Sequence, residues 1–257
     1  MYANFFAHIL QSFFTIHQQF GKEYLYIERK VPSMKYLFIG NSFTYFNDMP
    51  YTFLNMIKTV DPSARVDSLA YGGYSLAQYA DETTEIGKLS ISKIVSYDWD
   101  YIILQEQSLL PCLDPEGFKN TVKKLCDIIK QIGATVILYQ TWAYKNGSEK
   151  LLSTGMTYDE MNSRLKKAYD SAAENTGAIV APVGQAFAHI MNSDHITHLI
   201  NHNDNYHPST AGSYLAACIL FKVITGKSTI GLPCPSNVSL YNLSVIQKLS
   251  DSFIRPS

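Results

Sequence analysis

The sequence predicts one α/β domain of three layers, α/β/α, built on a flavodoxin-like, doubly wound sheet of about five parallel strands. Five short strand-like segments, most of them apolar, alternate along the chain with segments of helical periodicity. Strands that alternate with helices form a parallel sheet with both faces covered by helices, which explains why most of these segments are apolar. Short, right-handed connections between such strands favour the doubly wound arrangement.

The predicted strands cover residues 35–39, 64–70, 101–104, 134–139 and 178–181. The predicted helices cover residues 49–60, 76–96, 115–132, 158–176 and 210–225. Several helix ends carry the residues that usually stand there. Asp114 is placed to cap the third helix with Pro115 in its first turn, while Gly177 and Gly226 follow the last two helices. No repeat or linker interrupts this pattern, so we expect a single domain over residues 34–257.

The composition is that of a globular protein without a strongly charged partner. Of the 257 residues, 46% are hydrophobic and 17% are charged, and the 21 basic and 22 acidic side chains leave a formal net charge of −1. Because no basic block is present, we do not expect a nucleic-acid partner. The four cysteines, Cys112, Cys126, Cys218 and Cys234, form no C-x-x-C pair, and we expect mostly buried thiols.

Residues 1–33 form an N-terminal extension whose apolar residues recur at roughly helical spacing. Its first twenty residues contain no Lys or Arg, and polar residues interrupt the apolar run, so it does not resemble a secretory signal or a membrane span. Two alternatives stay open. The extension is a helix that packs on the domain or on a second subunit, or natural translation starts at Met34. The compartment, cytoplasmic or periplasmic, and the oligomeric state are both left undecided.

The first segment that follows a strand is Gly40-Asn41-Ser42-Phe43-Thr44. Ligands of doubly wound sheets bind beyond the carboxyl ends of the strands, which makes this segment a candidate for chemistry. A serine at the start of a helix can expose its hydroxyl and point its own N–H at a developing oxyanion. The alternative is that Ser42 merely caps the helix. The G-x-S-x-G elbow is absent, which argues against the α/β-hydrolase fold.

A second candidate segment, Asp204-Asn205-Tyr206-His207-Pro208, precedes the last predicted helix. A carboxylate three residues before a histidine can reach the imidazole Nδ1 and stabilise the imidazolium that forms when Nε2 takes a proton. Pro208 restricts His207 to an extended conformation. A structural Asp–His contact is the plainer alternative. A metal site formed by His195, His198, His202 and Asp204 is conceivable but disfavoured.

Together, the two segments resemble the first and last blocks of the SGNH (GDSL-like) hydrolases. Asn41 stands where many members carry Asp, and the resemblance spans residues 34 to about 226. It implies that Ser42 is the nucleophile, that His207 is the base and that Asp204 orients it. It also implies that Gly73, in the turn after the second strand, donates its N–H to the oxyanion together with the N–H of Ser42. No metal or organic cofactor is implied.

The third block departs from the family. Gln105-Glu106-Gln107-Ser108 stands where members usually have Gly-x-Asn-Asp, the asparagine of which supports the oxyanion. A glutamine amide is also an N–H donor, so Gln107 is the first candidate for this role and Gln105 the second. The substitution resembles that of a bacterial SGNH subgroup. Ordinary loop hydrogen bonding is the alternative for both glutamines.

The resemblance and the aromatic residues near these blocks favour small acyl esters, acetyl above all, on carbohydrates. Trp142, just after the fourth strand, is predicted to line the pocket, with Gln105 as a second substrate contact. The partner is then a small-molecule or glycan ester. Two alternatives stay open: a lipid or thioester hydrolase, and a non-catalytic carbohydrate-binding module on the same scaffold.

Overall fold

The computed structural model describes residues 33–192 and 198–253, which belong to one compact unit. The predicted N-terminal extension therefore lies, apart from Ser33, outside the described residues, as does His195 of the conceivable metal site.

The central sheet has five strands, and every neighbouring pair is parallel. The strands are β1 (Lys35–Gly40), β2 (Arg65–Ala70), β3 (Tyr101–Leu104), β4 (Thr135–Tyr139) and β5 (Ile179–Ala181). Their order is β2-β1-β3-β4-β5, which confirms the flavodoxin-like, doubly wound prediction. In this register Gly40 pairs with Ala70 and Ile39 with Leu104, so the segments that follow β1, β2 and β3 emerge side by side at one edge of the sheet.

Eleven α-helices lie within the described residues. They are α1 (Ser42–Tyr45), α2 (Met49–Ile57), α3 (Leu76–Ala80), α4 (Glu85–Val95), α5 (Leu110–Leu113), α6 (Pro115–Gln131), α7 (Glu149–Leu152), α8 (Tyr158–Thr176), α9 (Val183–Met191), α10 (Thr210–Thr225) and α11 (Leu240–Phe253). Helices α2 and α10 pack together in one layer, and α6 packs on α8 in the other. The predicted caps of α6 and α8 are present, since Asp114 accepts from Gly117 N–H and Gly177 adopts a left-handed conformation.

The prediction of one helix over residues 76–96 is wrong, because α3 and α4 are separate helices. Asp81 Oδ1 accepts hydrogen bonds from the N–H and the hydroxyl of Thr83, at 3.0 and 2.6 Å. Thr84 then caps α4 by accepting from Gly87 N–H at 3.0 Å. Side chains that bond to nearby backbone compete with a continuous helix, and here they end one helix and start the next.

Helix α9 was not predicted. Six of its nine residues are buried, and its polar side chains are limited to Gln185 and His189. A Cβ on Gly184 would lie 2.0 Å from the carbonyl oxygen of Thr141, so only glycine allows α9 to pack this closely on the segment after β4.

The core is formed by the strands and by α10. Leu37, Phe38 and Ile39 of β1 are completely buried, as are residues 102–104 of β3 and residues 137–138 of β4. Burial of each such side chain contributes about 1.5–3 kcal/mol relative to exposure. In the described part of the chain, no helix is long and apolar enough to cross a membrane. The cysteines are free thiols, three of them buried, as predicted.

Candidate active site

Ser42 is the first residue of α1, directly beyond the carboxyl end of β1. The cap of this helix is Asn41, the side-chain Oδ1 of which accepts a hydrogen bond from Phe43 N–H at 3.1 Å. The capping role considered for Ser42 is therefore filled by its neighbour. The N–H of Ser42 is one of the first-turn donors that no helical carbonyl can accept, and its half-buried side chain lines an open cleft.

Three side chains that are distant in sequence form a hydrogen-bonded chain in this cleft. Ser42 Oγ lies 2.8 Å from His207 Nε2, and His207 Nδ1 lies 2.9 Å from Asp204 Oδ2. Both distances are within hydrogen-bond range. With the proton on Nδ1, the ring donates to the carboxylate and Nε2 accepts from the serine hydroxyl, which is the arrangement of a nucleophile, a base and an orienting acid.

The segment that carries His207 is held by hydrogen bonds to its own backbone. Asp204 Oδ1 accepts from the N–H groups of Tyr206 and His207, at 3.0 and 2.9 Å. The carbonyl of His207 accepts from Asn201 N–H at 2.8 Å. The Phe46 ring stacks on the imidazole with 4.1 Å between centroids and an interplanar angle of 6°. The orientation of the imidazole is therefore fixed before any substrate binds.

The charge of Asp204 is stabilised by the same contacts. Partial burial acts to raise the pKa of this carboxyl, but the hydrogen bonds from the N–H groups of Tyr206 and His207, and the imidazole itself, outweigh it. The net effect holds the pKa of Asp204 below its ordinary value. Asp204 is thus ionised at neutral pH, as a residue that stabilises an imidazolium must be.

The residues predicted to hold an oxyanion surround Ser42 in the cleft. Gly73 has a φ of +76° in the exposed turn between β2 and α3, a conformation that glycine adopts without strain. Gln107 follows β3, and its Oε1 accepts from the N–H groups of Leu109 and Leu110 at 2.9 and 3.1 Å. These bonds use only the oxygen of the Gln107 amide, and its NH₂ group is free of hydrogen bonds to the described residues.

The cleft has a volume of about 490 Å³ and is open to solvent. Twelve described residues line it: Asn41, Ser42, Phe43, Tyr45, Phe46, Gly72, Gly73, Gln107, Ser108, Lys150, Tyr206 and His207. Aromatic rings therefore form much of its wall, while the polar groups are concentrated around Ser42.

Neither family models nor curated proteins match this chain. Among solved structures, a protein of Slackia heliotrinireducens assigned to the SGNH hydrolases is 33% identical, with a TM-score of 0.68, over 75% of this chain and 99% of its own. The chain belongs to the SGNH hydrolases. A DUF4886 family protein of Bacteroides uniformis is 21% identical, with a TM-score of 0.72 over 86% of this chain and 94% of its own. An acetyl xylan esterase is 14% identical, with a TM-score of 0.53 over 74% of this chain and 100% of its own.

In this SGNH hydrolase, the prediction that Trp142 lines the pocket is wrong. The side chain is completely buried, stacks on Phe187 with 4.1 Å between ring centroids and meets the edge of Phe43. Its indole N–H donates to the carbonyl of Tyr206 at 3.0 Å. Trp142 therefore supports the segment that carries His207 from within the core and cannot contact a substrate.

Gln105 is also buried, which contradicts its predicted substrate contact and its place as second candidate for the oxyanion. Its Oε1 accepts from Asn41 N–H at 2.9 Å and from the hydroxyl of Thr44 at 2.8 Å, and its amide NH₂ donates to the carbonyl of Glu106. A Cβ on Gly40 would lie 2.6 Å from the Gln105 Oε1. The glycine before Asn41 thus makes room for Gln105, which in turn fixes the turn that carries Ser42.

The disfavoured metal site is not formed by the residues that the structure describes. Asp204 is hydrogen-bonded to the His207 imidazole. No group of three potential metal ligands occurs in residues 33–192 and 198–253. His198 and His202 pack edge to face, 4.3 Å apart between ring centroids.

Glu106 is a site residue to which the sequence assigned no chemical role. Its side chain is buried, and its Oε1 accepts from Leu76 N–H at 3.0 Å and from Gln107 N–H at 2.6 Å. It thereby joins the turn that contains Gly73 to the segment that contains Gln107. The only sequence signal was an acidic residue two positions after a buried strand. Desolvation raises the pKa of Glu106 to about 7, although its two backbone hydrogen bonds act in the opposite direction.

This raised pKa predicts a pH-dependent stability difference between the wild type and Glu106→Gln. An acid with a pKa raised on folding contributes stability below its unfolded pKa, and this contribution is lost as the pH rises through its folded pKa. Glutamine stays neutral. Urea unfolding is measured at about pH 5 and about pH 8. Between these values, the free energy of unfolding of the wild type is expected to fall by about 2 kcal/mol relative to that of Glu106→Gln. Glu174→Gln, at an exposed position on α8, is the control, and parallel pH profiles for wild type and Glu106→Gln would contradict the prediction.

Proposed function

We propose that this protein is a serine esterase that hydrolyses small acyl esters, acetyl above all, on carbohydrates. The observation that carries the proposal is the hydrogen-bonded chain from Ser42 Oγ through the imidazole of His207 to Asp204. Its order and spacing are those required for a serine that a neighbouring base activates.

In the first half of the reaction, His207 Nε2 takes the proton from Ser42 Oγ as the oxygen attacks the ester carbonyl carbon. The imidazolium is stabilised by Asp204 and then gives its proton to the leaving alcohol as the C–O bond breaks. In the second half, a water molecule attacks the acyl carbon while Nε2 takes its proton, and the imidazolium then returns that proton to Ser42 Oγ as the bond between Oγ and the acyl carbon breaks. The products are the free acid and regenerated Ser42. Each step needs only groups of this chain, the ester and water.

The negative charge that develops on the carbonyl oxygen is assigned to three donors. They are the N–H groups of Ser42 and Gly73 and the side-chain amide of Gln107, all of which line the same cleft. Donors that are already in place cost no reorganisation during the reaction, and loss of one typically lowers kcat about 10²–10³-fold. The backbone hydrogen bonds to the Gln107 Oε1 support this assignment because they leave its NH₂ group as the free end of the amide.

The shape and lining of the cleft support a short acyl group on a sugar. Polar and charged side chains, among them Ser42, Gln107 and Lys150, share the lining of the cleft with the aromatic rings, which suits a polar alcohol better than a long alkyl chain. The exposed ring of Tyr45 in the cleft wall provides a flat apolar surface on which the C–H face of a sugar can stack. The acetyl xylan esterase among the structures of the same fold is consistent with this substrate class.

Turnover of a series of 4-nitrophenyl esters tests the proposed function. We expect kcat/KM to be highest for the acetyl ester and to fall through the butyryl and octanoyl esters to the lauroyl ester. His207→Gln is expected to abolish turnover. His202→Gln, which changes an exposed histidine five residues away, is the matched control and is expected to leave turnover unchanged.

Two outcomes would contradict the proposal. A kcat/KM highest for the lauroyl ester would indicate a lipid hydrolase. No turnover of any ester, together with no reaction with a fluorophosphonate, would indicate a binding module on the same scaffold.

A further inference from the structure

Lys150 lies in the wall of the cleft that contains Ser42 and His207. It belongs to α7, a helix that Ser148 caps by accepting a hydrogen bond from Leu151 N–H at 3.2 Å. The Nζ of Lys150 lies 3.2 Å from the centroid of the Tyr206 ring and 5.4 Å from that of Tyr144. These cation–π contacts hold the ammonium group at the cleft instead of leaving it to extend into solvent.

The charge of Lys150 is not balanced within the cleft. Of the twelve described residues that line the cleft, Lys150 is the only lysine or arginine, and none is acidic. Among the described residues it forms no ion pair, whereas Lys123 and Lys166 each pair with an aspartate one helical turn away.

Asp204 interacts with Lys150 electrostatically but is not free to pair with it. Both of its carboxylate oxygens are used, Oδ1 by the N–H groups of Tyr206 and His207 and Oδ2 by the imidazole. Partial burial disfavours the charged form of Lys150 and lowers its pKa, which is an effect that a bound anion would reverse. The cleft therefore contains a partly desolvated cation that lacks a counter-ion.

We propose that Lys150 binds a negatively charged group of the ester, so that this site favours anionic esters over neutral esters of the same size. The inference rests on the proposed esterase function and narrows its substrate class to esters that carry a carboxylate or a similar anion. The anion can belong to the acyl group or to the alcohol, and the two sources are distinguished by experiment.

Matched pairs of anionic and neutral esters test this proposal. For the acyl side, the pair is 4-nitrophenyl glutarate, with a free carboxylate, and its methyl ester. For the alcohol side, the pair is 4-acetoxybenzoate and its methyl ester. The wild type is expected to show about tenfold higher kcat/KM for the anionic member of one pair, mainly through a lower KM. Added salt is expected to reduce that preference because it screens the charges.

Lys150→Met is expected to lose the preference for the anionic ester while its kcat/KM for the neutral ester stays within about threefold of the wild type. Lys167→Met, which removes an exposed lysine from α8, is expected to keep the preference. Equal kcat/KM for both members of both pairs in the wild type, or an unchanged preference in Lys150→Met, would overturn the proposal. Those results would leave the esterase function intact, because turnover of the neutral ester reports on it separately.

Discussion

Asparagine in place of Asp204 is expected to lower kcat/KM for 4-nitrophenyl acetate about 10⁴-fold without altering the fold. The asparagine oxygen can still accept from the N–H groups of Tyr206 and His207, so the segment keeps its shape. Its NH₂ group, however, would face His207 Nδ1 as a donor. Nδ1 must then accept, the ring proton moves to Nε2, and the nitrogen that should take the proton of Ser42 is already protonated.

The measurement is kcat/KM across the pH range, with Asp159→Asn at an exposed position of α8 as the control. The loss in Asp204→Asn is expected to shrink at high pH, where hydroxide replaces the missing base. An Asp204→Asn variant with activity within about tenfold of the wild type at neutral pH would show that the carboxylate does not set the tautomer.

The fold was predictable because its signals are local. The central strands β1, β3 and β4 are buried and read as apolar runs, which is the usual pattern of a parallel sheet covered on both faces. The edge strand β2 is more polar and more exposed. The helix ends at Asp114 and Gly177 were predictable for the same reason, since capping depends on residues within one turn. The break between α3 and α4 was missed because it depends on two side chains, Asp81 and Thr84, that accept hydrogen bonds from nearby backbone N–H groups. Such local bonds differ little in energy from those of a continuous helix.

The arrangement of the site was predictable where the residues are close in sequence. Asp204 and His207 are three residues apart, and the structure places their side chains within hydrogen-bond distance. The approach of Ser42 was inferred only through the resemblance to a family and the rule that parallel strands end at one edge.

Side chains that act through burial were the ones that could not be predicted. Trp142 and Gln105 both follow strands, as site residues do, yet they point into the core. A sequence shows that a residue follows a strand but not which way its side chain turns. Glu106 is the opposite case, a buried residue that does shape the site. Nothing in the sequence indicates that its carboxylate accepts hydrogen bonds from the N–H groups of Leu76 and Gln107. Its role depends on β2 and β3 lying on either side of β1, which is a tertiary property.

Alanine in place of Ser42 is expected to produce the largest loss, about 10⁴-fold or more in kcat, because the substitution removes the attacking oxygen and makes the base useless. The oxyanion donors remain, so a small residual rate over water is expected. Unfolding temperature should not change, since Asn41, and not Ser42, caps α1. Ser92→Ala, at an exposed position of α4, is the matched control and is expected to keep full activity.

The most direct test of the central claim is to locate the adduct of a fluorophosphonate by peptide mass spectrometry in the wild type, Ser42→Ala and Ser92→Ala. An activated serine attacks the phosphorus atom and keeps the phosphonyl group, whereas ordinary serines do not react. We expect stoichiometric modification of Ser42 in the wild type and in Ser92→Ala, and none in Ser42→Ala. Modification of another residue, or equal modification of Ser42→Ala, would contradict the assignment of Ser42 as the nucleophile.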